Sequence, residues 1–207
     1  TATTEIYSLS LHDALPICHT GAALRNGAGH APQIGVFFPR TGGYGDARRT
    51  TAMARERIAD IVAGGRVLVS DGAWGTFLQR KGLQPGDCPE LWCIAPPADV
   101  ADVARSYIEA GADMIETDSF GGTRIKLADY GLGDRAAEIN EAAARISREA
   151  AGPDRLVIAS VGPTGKMRML GDVGETEVFD AFAEQSVALH RGGADALCIE
   201  TMTAADE

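Results

Sequence analysis

The chain has 207 residues, 45% of them hydrophobic, and a formal net charge of -10. That length suits one good core or a portion of a larger one, and the acidic balance excludes nucleic acid and anionic membrane, which need basic surface. No apolar run of about 18 residues occurs, so no transmembrane helix is expected, and the four cysteines (Cys18, Cys88, Cys93 and Cys198) lack a CxxC pair, which predicts a reduced, cytoplasmic protein.

Residues 1–52 carry no sustained helical or strand period, only scattered Gly and Pro and then Arg48-Arg49. The string Ser10-Leu11-His12-Asp13-Ala14-Leu15-Pro16-Ile17 resembles a translated sequencing adapter. This segment is expected to be an unstructured or artefactual extension, with Met53 as the natural start and 53–207 as the folded domain.

From Met53 onward, helical and strand patterns alternate. A short amphipathic helix over 55–63 stops at Gly64-Gly65, and a first strand follows at 67–70. A helix is expected to begin at 76–80, then a loop over 82–97, then a helix to Ala110 capped by Gly111. The second strand is 113–117. Helices at 126–130 and 135–151 come next, the longer with Ile139, Ala142, Ala143 and Ile146 as its inward stripe. The third strand is 156–161. A helix over 175–190 with Val178, Phe179, Phe182, Val187 and Leu189 on its apolar side leads to the fourth strand, 196–199.

Each strand runs into polar or glycine residues: Asp71-Gly72, Asp118-Ser119-Phe120-Gly121-Gly122, Gly162-Pro163-Thr164-Gly165, and Glu200-Thr201. In a parallel sheet such ends share one face and converge on one site. Gly111-Ala112-Asp113 and Gly193-Ala194-Asp195 echo each other, and the fifth residue after each Asp is acidic, Asp118 and Glu200. Regular βα units predict a parallel α/β fold, read as the first four units of a (β/α)8 barrel; a complete flavodoxin-like sheet is the competing architecture. Asp71 reads equally as an Asx turn cap and as a ligand group. Cys198 within an apolar strand reads as a buried, inert thiol. Trp74 and Trp92 lie in loops at the expected site face, His190 reads as a helix C-terminal cation, and the Gly162–Lys166 segment lacks a full P-loop. Asp71, Asp118 and Glu200 on one face could hold an ammonium group, a sugar or a metal ion.

Taken together, Asp71-Gly72-Ala73-Trp74-Gly75-Thr76, Glu116-Thr117-Asp118-Ser119-Phe120-Gly121-Gly122-Thr123, Val161-Gly162-Pro163-Thr164-Gly165 and Ile199-Glu200-Thr201 resemble the homocysteine S-methyltransferase family, closest to its cobalamin-dependent methionine synthase branch. The resemblance implies a barrel that binds homocysteine at its strand ends, where a zinc ion on three cysteines makes the substrate sulfur a thiolate. It also implies a cobalamin or methyl-folate donor and corrinoid- or folate-binding domains in the parent protein. Asp71 and Glu200 would hold the substrate ammonium, and backbone N–H groups near Gly72 and Ser119 its carboxylate. Asp118 stands where the family often has Asn, so its part in binding stays open.

The family's zinc cysteines lie in an Asn-Cys and a Gly-Gly-Cys-Cys context on later strands, and the sequence ends at Glu207 without either. None of Cys18, Cys88, Cys93 or Cys198 falls at a matching position. The chain alone is therefore expected to bind no catalytic zinc, to carry no bound cofactor and to transfer no methyl group. Two alternatives accompany this reading. One is a family member using betaine, S-methylmethionine or another corrinoid-linked donor. The other is a non-catalytic small α/β ligand-binding module.

Overall fold

The computed structural model describes residues 6–7, 34–35, 58–167, 170–202 and 204. Within 1–52 it contains β1 (Ile6–Tyr7) and β2 (Ile34–Gly35), a two-residue parallel pair. The remainder of that segment, and Met53 itself, lie outside the described residues.

The domain alternates as its sequence pattern predicts. In order come α1 (Ile58–Ala63), α2 (Gly75–Arg80), a 3-10 turn (Pro89–Cys93), α3 (Pro97–Glu109), β3 (Met114–Ile115), α4 (Arg124–Ala128), a 3-10 turn (Gly133–Arg135), α5 (Ala136–Ala151), β4 (Leu156–Val161), α6 (Glu175–Gly192) and β5 (Ala196–Ile199). Helix boundaries follow local chemistry. Pro97 opens α3, where its missing N–H costs nothing. The Thr123 hydroxyl accepts the Lys126 N–H at 3.1 Å and caps α4. Gly193 ends α6 in the left-handed region at φ 105°, which a side chain would strain.

The sheet is parallel with sequential order β3-β4-β5. No order reversal occurs among these strands, so the described part lacks the switch point that a flavodoxin-like sheet needs. The predicted first strand, 67–70, is corrected: it forms no ladder strand. It runs extended beside β3, with Val69 O accepting from Asp113 N at 2.8 Å and Met114 N at 3.2 Å. Its outer side has no neighbouring strand among the described residues. Val67 and Val69 are accordingly 85% and 58% exposed. The second predicted strand is also shorter than 113–117. Its ends are tied by side chains instead of a ladder: Asp113 Oδ2 accepts the Val69 N–H at 3.0 Å, and Asp71 Oδ2 accepts the Glu116 N–H at 2.9 Å.

The core lies between the sheet and helices α3, α5 and α6. Val100, Val103 and Ala104 of α3 and Ala142, Ala143 and Ala144 of α5 pack on Ile115, Val157, Ala159 and Leu197. Small residues on α5 let α6 approach closely. A Cβ at Gly192 would sit 2.4 Å from the Glu141 carbonyl oxygen and 2.6 Å from Ala144 Cβ. The inward stripe of α6 is Val178, Ala181, Gln185, Ala188 and Leu189. Phe179, expected on that stripe, falls off it and is 49% exposed, while Phe182 is half-buried. Trp74, whose sequence context admits a rim or a packing role equally, is buried in the core, and its indole N–H donates to Asp71.

Gly192→Ala is expected to lower stability by about 1–3 kcal/mol through overpacking at the α5–α6 contact. Gly174, where an added Cβ meets nothing within 4 Å, is the control. Urea unfolding midpoints of the two alanine variants test this. Equal midpoints would remove the close-approach argument.

Candidate functional site

The site is built on the carboxyl ends of the 67–70 segment, β3, β4 and β5. Asp71 is the most tightly held of its groups. Its Oδ1 accepts from Ser70 Oγ at 2.9 Å, and its Oδ2 from Trp74 Nε1 at 2.8 Å and Glu116 N at 2.9 Å. Burial nevertheless outweighs these three donors and raises its pKa. The turn after it is braced by Tyr107, whose Oη donates to Ala73 O at 3.0 Å and lies over Gly72, leaving 3.2 Å to any Cβ built there. The Gly72 and Ala73 N–H groups meet no acceptor among the described residues.

Glu200 follows β5, its Oε1 accepting from Ser160 Oγ at 2.5 Å. Glu116 follows β3, and the Ser147 hydroxyl donates to its backbone carbonyl at 2.7 Å. The Glu116 carboxyl itself has no hydrogen-bond donor among the described residues. Burial, then the Glu200 charge, then the Asp71 charge push its pKa up to about 7. Three carboxyls therefore converge: Asp71, Glu116 and Glu200. No Lys, Arg or His among the described residues forms an ion pair with any of them. Glu116 was not singled out as a site residue from sequence. The available signal was its place directly after an apolar strand, but the five-residue echo drew attention to Asp118.

Asp118 takes a different place. It is buried at 6% exposure and turns away from that trio onto the Pro89–Cys93 turn, where Cys93 Sγ donates to its carbonyl oxygen at 3.4 Å and approaches its Oδ2 at 3.8 Å. Burial, then the neighbouring Glu90, push its pKa to about 8. Ser119 is fully buried. Its Oγ donates to Ser160 O at 2.7 Å and shares a short hydrogen bond with the Thr117 hydroxyl. Its backbone N–H is directed to Thr117 O at 2.9 Å, so in this structure it does not face a ligand. Two buried amides hold this turn from behind. Gln185 Nε2 donates to Ser119 O at 2.8 Å, and Asn140 Nδ2 donates to Gly122 O at 2.6 Å. A Cβ at Gly122 would lie 2.3 Å from Asn140 Oδ1, so only glycine fits.

Among the described residues the cysteines do not assemble a three-thiolate centre; Cys18 lies outside them. Cys88 donates to Glu90 Oε2 at 3.3 Å, Cys93 faces Asp118, and Cys198 stands at the site. Cys198 is half-buried, not the enclosed thiol expected; it lies beside Glu116 and Glu200, and burial ahead of those charges pushes its pKa to about 12. Glu116, Cys198 and Glu200 bring one donor atom each within 4.8 Å of one another. One thiol and two carboxyls do not fit the sulfur-rich zinc set that the resemblance implies. We assign no metal ligand here.

A parallel α/β domain with conjoined acidic strand ends defines the class, and the sequence matches agree. The profile of the homocysteine S-methyltransferase family matches residues 68–207, and the chain belongs to that family. It is 36% identical to the methionine synthases of Mycobacterium tuberculosis (strain ATCC 25618 / H37Rv) and Mycobacterium leprae (strain TN). Each match covers 66% of this chain and 12% of the relative, so the chain spans about an eighth of their length. The metallated crystal structure of the homocysteine methyltransferase MmuM from Escherichia coli superposes with a TM-score of 0.57 at 24% identity, over 70% of this chain and 57% of that one, a likeness of fold. No helix among the described residues is long and apolar enough to cross a membrane.

Glu116→Gln tests the electrostatics of the trio. The unfolded chain ionises Glu116 near 4.5 and the folded one near 7, so the native state binds the extra proton between those values. Its stability contribution is complete below about 4.5 and is lost as pH rises through about 7. The glutamine variant is expected to gain on the parent with rising pH, by on the order of 3 kcal/mol. Parallel stability–pH curves for the two proteins would remove this account.

Proposed function

We propose that this chain is the amino-acid-binding part of a homocysteine S-methyltransferase of the methionine synthase type. Its sheet is read as the first four units of a (β/α)8 barrel. The observation that carries the reading is the convergence of Asp71, Glu116 and Glu200 with no protein cation among the described residues. Carboxylates held together out of water need a positive partner. An α-ammonium supplies one, and its three N–H donors suit several carboxylates at once. The unused N–H groups of Gly72 and Ala73 beside Asp71 suit the ligand's α-carboxylate. Both ends of an amino acid are thereby addressed, while its side chain points along the open strand ends.

The sulfur chemistry is assigned to the parent protein. A zinc ion would there supply the lowering of the thiol pKa, and a corrinoid or methyl-folate would supply the methyl group. The methionine synthase matches favour that donor over betaine or S-methylmethionine. In this chain the residues bind and orient; Cys88 and Cys93 are buried and bonded elsewhere, and Cys198 with two carboxyls does not make the sulfur-rich zinc set. The chain alone is expected to be inactive in methyl transfer. A non-catalytic α/β module remains the reading of another class, and the family membership weighs against it.

Calorimetry with the full chain tests the proposal. Homocysteine and methionine should both bind, because the amino-acid end carries recognition, and N-acetylhomocysteine should not. Glu200→Gln and Asp71→Asn should each weaken homocysteine by about tenfold or more, the value of a charge-assisted hydrogen bond. Equal binding of the acetylated ligand would sink the ammonium assignment.

A further inference from the structure

Behind the site lies a second acidic pair that the binding reading does not use. Glu90, in the Pro89–Cys93 turn, is 5% exposed, and Asp118 is 6% exposed. Both oxygens of Glu90 are taken by donors: Gly121 N–H on Oε1 at 2.7 Å and the Cys88 thiol on Oε2 at 3.3 Å. Asp118 receives only the Cys93 thiol on Oδ2, at the long distance of 3.8 Å. The groups facing this pair are Cys88 and Cys93 from the 3-10 turn, and the uncharged Asn140 and Gln185 behind the Ser119–Gly122 turn. The stem of Lys126 passes Gly121, but its ammonium pairs with Asp129 at 3.6 Å. No cation among the described residues forms an ion pair with either acid.

Two buried carboxylates without a counter-ion cannot both stay ionised at neutral pH. The donor pattern says where the proton goes. Glu90 acts only as an acceptor, whereas Asp118 lacks donors and has capacity for an O–H. We propose that Glu90 and Asp118 share one negative charge, with the proton on Asp118, and that this singly charged pair is a positioning device for the 117–122 turn of the site. Glu90 clamps the turn through the Gly121 N–H, a contact so close that a Cβ at Gly121 would lie 2.7 Å from its Oε1. The inference is independent of the ligand assigned above, since it concerns the protein's own charges.

The test is a carbon-13 titration of the aspartate carboxyls in the full chain, with Asp118→Asn identifying the resonance by its disappearance. Asp118 is expected to stay protonated through neutrality and titrate near pH 8, and to move to lower pH in Glu90→Gln. Ionisation already complete at about pH 6, or a titration unmoved by Glu90→Gln, overturns the shared charge. Amide hydrogen exchange reads the positioning half. Gly121 should be protected in the parent and in Asp118→Asn, and should lose protection in Glu90→Ala; unchanged protection overturns it. If the Glu90 variants do not fold, unfolding midpoints of the parent and Asp118→Asn remain. The folded chain holds the Asp118 proton from about 3.8 to about 8, so the parent should lose more stability than the variant as pH rises through that window. Parallel curves overturn the proposal.

Discussion

The site depends on a two-way aspartate clamp at the starts of β3 and β5. Asp113 donates its N–H to Val69 O at 2.8 Å and accepts the Val69 N–H on its side chain at 3.0 Å. Asp195 does the same with Val157, at 2.8 Å in both directions. A backbone donor and a side-chain acceptor on one residue grip both polar groups of the neighbouring strand. Register is fixed before the ladder begins, and a slip of one residue would send every following side chain to the opposite face. The preceding glycine turns the chain out of the helix, at φ 100° for Gly111 and 105° for Gly193, and the buried alanine between packs under the strand. Arg148 adds a 2.9 Å ion pair to Asp195 with both side chains 18% exposed. The Gly-Ala-Asp repeat is thus a structural device, used twice, that levels the strand ends.

Levelled ends make an electrostatic problem that the fold only partly solves. Asp71 is answered by an indole, a hydroxyl and a backbone N–H, each neutral. Glu200 receives one hydroxyl, and the Glu116 carboxyl receives no donor among the described residues. Several acids elsewhere do have cations: Asp102 has Lys81 and Arg105, Glu184 has Arg124, and Asp129 has Lys126 and Lys166. A surface acid pairs at small gain, whereas an unpaired group partly withdrawn from water raises its pKa or waits for a cation.

Much of this was legible in the sequence, and the gaps have physical causes. The strands 156–161 and 196–199 stand at their predicted bounds, because continuous apolar runs between glycine turns admit little else. Helices α3, α5 and α6 end at the glycine turns of Gly111, Gly152 and Gly193, whereas the helix expected over 126–130 runs Arg124–Ala128 from its Thr123 cap. The 67–70 segment misled because apolar composition reports a tendency to pair, while a strand also needs neighbours on its sides. Phe179 misled because bulk suggested burial, where the helical period favours the small Ala181 and the polar Gln185. The buried Gln185 and Asn140 were invisible, since their role is to satisfy carbonyls of a turn distant in sequence. Cys198 was half-legible: its strand was evident, its exposure to the site was not.

The sharpest divergence separates two acids only two residues apart. In an extended strand Glu116 and Asp118 would share a face, and the repeat made Asp118 the counterpart of Glu200. The ladder of β3 ends at Ile115, however, and the chain then folds on itself through the Ser119 N–H to Thr117 O bond. Alternation fails beyond that point. Glu116 keeps the strand direction and meets Glu200, while Asp118 is carried behind the turn to Cys93 and Glu90. What each acid can do follows from what surrounds it. Glu116 borders an open strand end, where a cation from outside can reach it. Asp118 is closed in by thiols and another acid, where none can, and a proton is the cation left to it.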